Sequence, residues 1–424
     1  MSQIVHWDKQ GIKKINRTCG YHLDKDLFRK VNRILLDIKA RGDRALLHYT
    51  KDFDGIELPV KRLTVTQGDI NRAYEKIQFE FVPLLKQIKE NVTAYYQAEL
   101  KKSYSVKGKD GIILGKQYRP LDRVGIYIPG GTAPLVSTVY MTVIPAKVAG
   151  VKEIVITTPP NRDTGDIDPH ILVVADLLGV KKIFRCGGAQ AIGALAFGTQ
   201  SIDKVDKIVG PGNQYVTEAK RQVYGFVDID MVAGPSEVAI LADPEANPTF
   251  VTCDLLAQAE HYGGSSFLIT NSKKLAEMIQ KRIDNATIIL VKNLKEGCDV
   301  VNELAPEHLE IMTKRPERWL KSITHAGAIF LGAYSPAVIG DYIAGPSHVL
   351  PTSGTARYFS PLSAASFIKS TQIIGYNKDA LSNVRIPIRK LTEMEGLILH
   401  RISIESRFVE TSTKVEDGKD RIHA

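Results

Sequence analysis

The chain from Val124 onwards alternates short apolar segments with helix-like ones, and this alternation constrains the fold more than any other feature. Four apolar segments are typical of buried strands, and a helical pattern follows each: VGIYIPGG, EIVIT, KKIFRC and DKIVG. Strands that alternate with helices at short intervals predict a parallel α/β layer. Similar units follow Met231, so we expect α/β architecture over most of the chain.

Glycines follow these strands, and such turns let the phosphates of a ligand approach backbone N–H groups at a helix N-terminus. Gly210-Pro211-Gly212 begins like a dinucleotide fingerprint, but Tyr215 occupies the last glycine position. The ordinary fingerprint is therefore missing. The turns alone leave two alternatives open, a nucleotide site and plain tight turns.

The N-terminal part has a different texture. Residues 1–24 are polar without a clear period and predict an arm, whereas the apolar positions from Leu27 to Ile38 fall on one helical face. A long helical region is expected from about Gln67 to Leu100, with a possible kink at Pro83. Further along, a helix is expected from about Pro248 to Tyr262.

Composition limits the function classes. A chain of 424 residues predicts one large domain or two to three ordinary ones. The net charge of +9 is spread over 56 basic and 47 acidic residues without a basic run, which argues against nucleic-acid binding. Four cysteines without a CxxC pair fit a reducing compartment. The N-terminus lacks a secretory pattern, and Pro145 and Lys147 interrupt the most apolar region, so we expect a cytoplasmic protein without a membrane span.

The stretch LAPEHLE, residues 304–310, places Glu307 and His308 side by side after a proline. Pro306 favours an extended Ala305 and places the pair at the start of an element. A neutral histidine is an effective proton acceptor near pH 7, and the neighbouring carboxylate can activate a water molecule. The alternative for an isolated Glu-His pair is a solvent-exposed turn.

Other polar residues have the chemistry of a metal site. Gln258 and His261 are three residues apart on the expected helix and share a face. Asp341 follows a glycine in a loop, and Glu395 and His400 lie on the C-terminal element. Histidine nitrogen with carboxylate and amide oxygen suits zinc, although manganese and cobalt accept the same ligands. Without an HExxH motif, each histidine retains a purely structural alternative.

Eight blocks together resemble histidinol dehydrogenase over nearly the whole length. They are VGIYIPGGTAPLVSTVYM, CGGAQAIGALAFGT, IVGPGNQYVTEAK, AGPSEV, LLAQAEH, APEHLE, GDYIAGPSHVLPTSGTAR and EGLILH. The resemblance implies an α/β fold of two incomplete Rossmann-like domains in an aldehyde dehydrogenase-like arrangement. It also implies small N- and C-terminal units that intertwine a homodimer with shared active sites.

From this resemblance and the pattern we expect four segments. Residues 1–24 form the arm, 25–123 with 237–372 form a first α/β domain, 124–236 form a second, NAD-binding domain, and 373–424 form a small C-terminal domain. The first domain is expected to carry most metal and catalytic residues. The C-terminal domain is expected to contribute to the site of the partner subunit.

The implied reaction is the four-electron, NAD-linked oxidation of L-histidinol to L-histidine through L-histidinal, the last step of histidine biosynthesis. The implied site residues fall into four groups. They are the bases Glu307 and His308; the ligands of one zinc ion per subunit, Gln258, His261, Asp341 and His400; the NAD contacts Tyr127, Gln190 and Asn213; and the substrate contacts Ser236, Gln258, His261, Glu307, Asp341, His348, Glu395 and His400.

Two positions depart from the family pattern, Tyr262-Gly263 after LLAQAEH and Pro346-Ser347 in the later loop. Neither changes an implied ligand. A paralogous zinc- and NAD-dependent dehydrogenase of another amino or sulfonated alcohol remains the alternative. Glu395 favours a cationic substrate, since a sulfonate would meet a carboxylate of the same sign.

Overall fold

The computed structural model describes residues 2–7, 24–130, 134–260 and 263–409. Strands and helices are numbered here in chain order. The strands are β1 Gln3–His6, β2 Tyr104–Lys107, β3 Ile113–Pro120, β4 Arg123–Tyr127, β5 Glu153–Thr158, β6 Lys182–Arg185, β7 Lys207–Val209, β8 Asp228–Ile229, β9 Glu237–Ala242, β10 Ser265–Thr270, β11 Ala286–Leu290, β12 His308–Met312, β13 Ala328–Leu331 and β14 Ile368–Gly375.

The α-helices include several of those expected from the sequence. They are α1 Lys25–Arg41, α2 Asp43–Asp54, α3 Val60–Leu63, α4 Gln67–Tyr74, α5 Phe81–Glu99, α6 Val136–Ala149, α7 Pro169–Leu177, α8 Gly188–Phe197, α9 Gln214–Val223, α10 Pro248–Ala257, α11 Lys273–Gln280, α12 Leu294–Leu304, α13 Ala337–Tyr342, α14 Lys378–Met394 and α15 Ile398–Glu405. In the described part of the chain, every helix is too short or too polar to cross a bilayer.

A six-stranded sheet has the order β1-β11-β10-β9-β12-β13, and all of its paired strands are parallel. Two apolar clusters fill its faces, one with α10 and α11 and the other with α12. The edge strand β1 was not predicted, because Gln3–His6 has no apolar period. Its conformation is defined by pairing with β11, far away in the sequence.

A five-stranded parallel sheet has the order β6-β5-β4-β7-β8. Helices α4 to α7 cover one face, and α1, α2, α8 and α9 cover the other. The strand order reverses between β4 and β7. In open α/β sheets the crevice at such a reversal, beyond the carboxyl ends of the strands, is the usual ligand site.

The expected helix over residues 67–100 is wrong as a single element. The α4 helix ends at Tyr74, residues 75–80 form turns, and α5 begins at Phe81. Thr66 and Asp69 form a reciprocal capping box that starts α4. Pro83 lies in the first turn of α5, where its missing N–H removes no helical hydrogen bond.

A second, small unit combines Lys101–Arg119 with the described residues from Ser370 onwards. It contains the three-stranded sheet β14-β3-β2 and the helices α14 and α15. Many large apolar side chains of this unit are exposed, among them Tyr104, Val106, Ile374, Ile386, Leu391, Met394, Ile398, Leu399 and Ile402. The larger unit contains both parallel sheets, so the predicted parallel α/β class is confirmed.

Candidate active site

Glu307 and His308 lie where α12 passes into β12, and both side chains are buried. Each residue is only 6% exposed, so the solvent-exposed alternative is wrong. The expectation of an extended Ala305 is also wrong. Its φ of 45° and ψ of 60° are left-handed, and its N–H donates to the Val301 carbonyl at 2.7 Å to close α12. This sharp reversal delivers the pair to the N-terminal edge of the six-stranded sheet.

Two donors at the start of β9 hold the Glu307 carboxylate. The hydroxyl of Ser236 donates to Oε2 at 2.5 Å, and the N–H of Glu237 donates to the same oxygen at 2.9 Å. On the other side, a Cβ at Gly327 would lie 2.5 Å from the Glu307 carbonyl oxygen, so a glycine is needed there. The carboxylate is therefore fixed in position.

The His308 imidazole has a defined orientation. Its Nδ1–H donates to the carbonyl of Glu237 at 3.1 Å, because a carbonyl can only accept. In neutral His308 the Nε2 atom then carries the lone pair, and it lies 3.7 Å from Oδ1 of Asp341. Burial would lower the pKa of His308, but the carboxylates of Glu307 and Asp341 raise it well above its ordinary value.

His348 lies beside the same group. Its Nδ1–H donates to the Asp341 carbonyl at 3.1 Å, and its Nε2 is 3.4 Å from Oγ1 of Thr138. Burial lowers the pKa of His348, which keeps the ring neutral near pH 7. Thr138 belongs to α6 of the five-stranded layer, so the two layers of the larger unit meet here. The structure thus brings together Ser236, Glu307, His308, Asp341 and His348.

Sequence reasoning missed a buried carboxyl pair behind the site. Glu310 is completely buried, and its Oε1 accepts a hydrogen bond from the N–H of Ala337 at 2.7 Å, at the start of the helix that carries Asp341. Burial, and then the adjacent Asp254, raise the pKa of Glu310 to about 8. The signal was present, because Glu310 lies two residues after His308 in a strand and so faces the same side.

The predicted metal ligands are only partly described. The α-helix ends at Ala257, and a 3-10 turn over Gln258–Glu260 follows, so the expected helix to Tyr262 is too long. The Gln258 amide is buried, and its Nε2 has no hydrogen-bond partner within the described ranges. His261 lies outside them. No group of three or more His, Cys, Asp or Glu among the described residues can hold a metal.

The predicted NAD contacts lie at the carboxyl edge of the five-stranded sheet. Tyr127 ends β4, and its hydroxyl oxygen accepts a hydrogen bond from the N–H of Gly188 at 3.2 Å. Gln190 is completely buried in α8, and neither amide atom has a partner in the part of the chain described. Asn213 caps α9, because its side-chain Oδ1 accepts hydrogen bonds from the N–H groups of Tyr215 at 3.0 Å and Val216 at 3.2 Å.

Glu395 and His400 belong to the small unit and are both exposed. Glu395 follows α14, and His400 lies in α15. The larger unit contains Glu307, His308 and Asp341, whereas Glu395 and His400 belong to the small unit.

The comparisons with known proteins agree with one another. A sequence model of the family "Histidinol dehydrogenase" matches residues 20–408. Histidinol dehydrogenase from Clostridium acetobutylicum is 48% identical and aligns with 90% of this chain and 93% of its own. That from Bacillus cereus is 46% identical over 97% of this chain and 100% of its own.

A solved structure resembles the whole chain. Histidinol dehydrogenase from Elizabethkingia anophelis has a TM-score of 0.90 at 36% identity, covering 96% of this chain and 98% of its own. An acetylating aldehyde dehydrogenase from Geobacillus thermoglucosidasius has a TM-score of 0.44 at 12% identity. That value is too low to support the predicted aldehyde dehydrogenase-like arrangement, which stays a prediction.

The fold is a parallel α/β one, and a buried, oriented imidazole next to fixed carboxylates has the chemistry that general-base catalysis in an α/β enzyme requires. The chain belongs to the histidinol dehydrogenase family. It is accordingly an oxidoreductase of histidine biosynthesis.

Proposed function

We propose that the chain oxidises L-histidinol to L-histidine through L-histidinal, with zinc and two molecules of NAD. The bases, metal ligands, NAD contacts and substrate contacts that the family resemblance implies form the proposed site. The observation that carries this proposal is the geometry of His308. Its Nδ1–H is anchored on the Glu237 carbonyl at 3.1 Å, so Nε2, 3.7 Å from Oδ1 of Asp341, is the nitrogen that exchanges the proton. The carboxylates of Glu307 and Asp341 raise the pKa of His308 and so favour the charged ring that forms when it accepts that proton. A fixed tautomer is what a general base requires.

The two half-reactions need two proton acceptors. In the first, His308 takes the hydroxyl proton of the alcohol as its carbon loses a hydride. In the second, Glu307 takes a proton from a water molecule that adds to the aldehyde, while His308 returns its proton to the carbonyl oxygen. His308 then takes a hydroxyl proton of the resulting hydrate as its carbon loses the second hydride. The hydrogen bonds from Ser236 and Glu237 hold Glu307 beside the histidine for this role.

Bound zinc would supply a Lewis acid that orients the amine and imidazole of the substrate, and bound NAD would accept the hydrides. The residues fit such a metal. Gln258 contributes a buried amide, and the Asp341 carboxylate lies beside the base. His261 and His400 complete the proposed ligand set of one zinc per subunit.

The NAD site is proposed at the strand-order reversal of the five-stranded sheet. Tyr127 ends one of the two strands that flank the reversal, and Asn213 follows the other through a glycine turn. The buried amide of Gln190 lies in the first turn of α8, which begins close to Tyr127. Backbone N–H groups at such a crevice suit the pyrophosphate.

The proposed homodimer with shared sites rests on the small unit. This unit exposes many large apolar side chains, and exposed apolar patches of this kind are typical of surfaces that bind another protein. We propose that this unit brings Glu395 and His400 to the partner's active site, and that His348 and Ser236 contact the substrate there. The arm and the domain boundaries 25–123 with 237–372, 124–236 and 373–424 stay proposals, as does a cytoplasmic location.

One assay tests the proposed activity on L-histidinol and the alternative, a paralogous activity on another alcohol. Purified protein with zinc and NAD is given L-histidinol, other amino alcohols or sulfonated diols, and NADH formation is followed. We expect the highest kcat/KM for L-histidinol. A higher value for a sulfonated diol would reject the proposed substrate.

A further inference from the structure

A buried ion pair, Lys220 with Asp230, binds the backbone of Gly210 in the turn between β7 and α9. The ammonium of Lys220 donates to the carbonyl of Gly210 at 2.9 Å and pairs with the carboxylate of Asp230. Asp230 in turn accepts the N–H of Gly210 at 2.8 Å and the N–H of Met231 at 2.7 Å. The side chains of Lys220 and Asp230 are 4% and 1% exposed. Both polar groups of a single glycine are thus held by opposite charges.

Gly210 has a backbone conformation and a close contact that exclude a larger side chain. Gly210 has a φ of +118°, which L-residues with side chains rarely adopt. A Cβ there would lie 2.1 Å from the carbonyl oxygen of Tyr127, so the turn after β7 approaches the end of β4 closely. This contact lies at the strand-order reversal of the sheet, where the proposed NAD crevice opens.

We infer that Lys220 and Asp230 are positioning residues that hold the turn Gly210 to Asn213 in the shape that binds NAD. The inference rests on the NAD use proposed above and assigns these two residues a part in it. A glycine turn without such anchors samples many conformations, and the ligand then bears the cost of ordering it. A buried ion pair is an expensive way to stabilise a fold, and apolar residues often replace one without loss. Its position on the binding turn explains the arrangement.

The test variant removes both charges together, because removing one leaves an uncompensated buried charge. For Lys220→Met/Asp230→Asn we expect the KM for NAD, and the Kd for NAD measured by calorimetry, to rise about tenfold or more. The KM for L-histidinol and kcat at saturating NAD should stay within about twofold. A uniformly damaged protein would not produce this split.

The chain offers a control ion pair in the same sheet, more exposed than the pair of Lys220 and Asp230. Lys207 and Asp228 form an ion pair of 2.8 Å at the N-terminal ends of β7 and β8, which are the ends away from the turn. Lys207→Met/Asp228→Asn should leave the KM for NAD unchanged. If the first variant does not fold, Lys220→Gln/Asp230→Asn takes its place, because it also removes both charges but keeps a polar group at each position, with an expected rise of at least about threefold.

Three results would overturn the inference. The first is an unchanged affinity for NAD in the folded variant, and the second is an equal loss in the control. Wild-type protein that binds no NAD would overturn the proposed cofactor as well as the inference. These failures are distinguishable, since only the last one shows in the unmodified chain.

Discussion

Nε2 of His308 lies 3.7 Å from Oδ1 of Asp341, at the edge where β12 begins. The proposed base and a proposed metal ligand therefore face the same space. Residues from β9, β12 and α13 converge on that space, and α6 of the other layer borders it through Thr138. Hydrogen bonds to backbone groups orient the side chains of Glu307, His308 and His348 at this position.

His308→Ala should slow the oxidation of both L-histidinol and L-histidinal by about 10²- to 10⁴-fold, because a proton acceptor is lost in each half. Glu307→Gln should slow mainly the oxidation of L-histidinal, since only that half needs an activated water. NADH formation from each substrate, supplied separately, measures the two halves. The control is Glu303→Gln, which changes an exposed glutamate on the preceding helix and should have no effect. Equal losses in both halves for Glu307→Gln would contradict the assigned roles.

Burial raises the pKa of Asp54, at the end of α2, to about 6 from its model-compound value of 3.8. The folded state favours the protonated carboxyl, so this contribution to the free energy of unfolding is fully present below about pH 4 and is lost as the pH rises through 6. Asp54→Asn should therefore raise the free energy of unfolding at pH 7.5 by up to about 3 kcal/mol and leave it unchanged near pH 4. Urea denaturation at both pH values measures this.

The control for that prediction is Asp52→Asn, at an exposed carboxylate of the same helix that pairs with His48 at 3.4 Å. Its effect should stay within about 0.5 kcal/mol at both pH values. A gain for Asp54→Asn that is as large at pH 4 as at pH 7.5 would show that ionisation is not its cause.

Metal removal should abolish activity and preserve the fold, because the clusters that pack both sheets consist of apolar side chains and contain none of the proposed metal ligands. Chelated protein should keep its far-UV circular dichroism and regain activity with zinc. Gln258→Leu should lower the zinc content, measured by atomic emission, below one ion per subunit, whereas Gln97→Leu on the exposed face of α5 should not. Full activity of protein shown to be metal-free would exclude the zinc proposal.

The shared site is tested by mixing two inactive variants. His308→Ala and His400→Ala chains are unfolded and refolded together, and differential tags identify the heterodimers. If His400 serves the partner's site, one site of each heterodimer carries no substitution, and roughly a quarter of wild-type activity should return. Heterodimers without activity would place His400 in the site of its own chain.

Local signals predicted the parts of this fold that depend on neighbouring residues. The helix α6 begins at Val136 and α7 at Pro169, each after one of the apolar strands, as the alternating pattern predicts. The left-handed Ala305 and the strand Gln3–His6 were not predictable, since a following element and a distant strand determine them.

The candidate site shows the same division. Glu307 and His308 stand out in one short stretch, and their burial agrees with a functional pair rather than a surface turn. The spacing of Glu310, two residues after His308 in a strand, indicates that it faces the same side. Its partner Asp254 comes from a helix that only the folded sheet brings beside it, so the sequence does not predict the pair.

The central claim is that one active site performs both oxidations, and the yield of NADH tests it most directly. A limiting, weighed amount of L-histidinol is converted to completion with excess NAD, and NADH is read by its absorbance at the end point. The account predicts two NADH per L-histidinol, with L-histidine as the product. A yield of one NADH, with free L-histidinal accumulating, would contradict it.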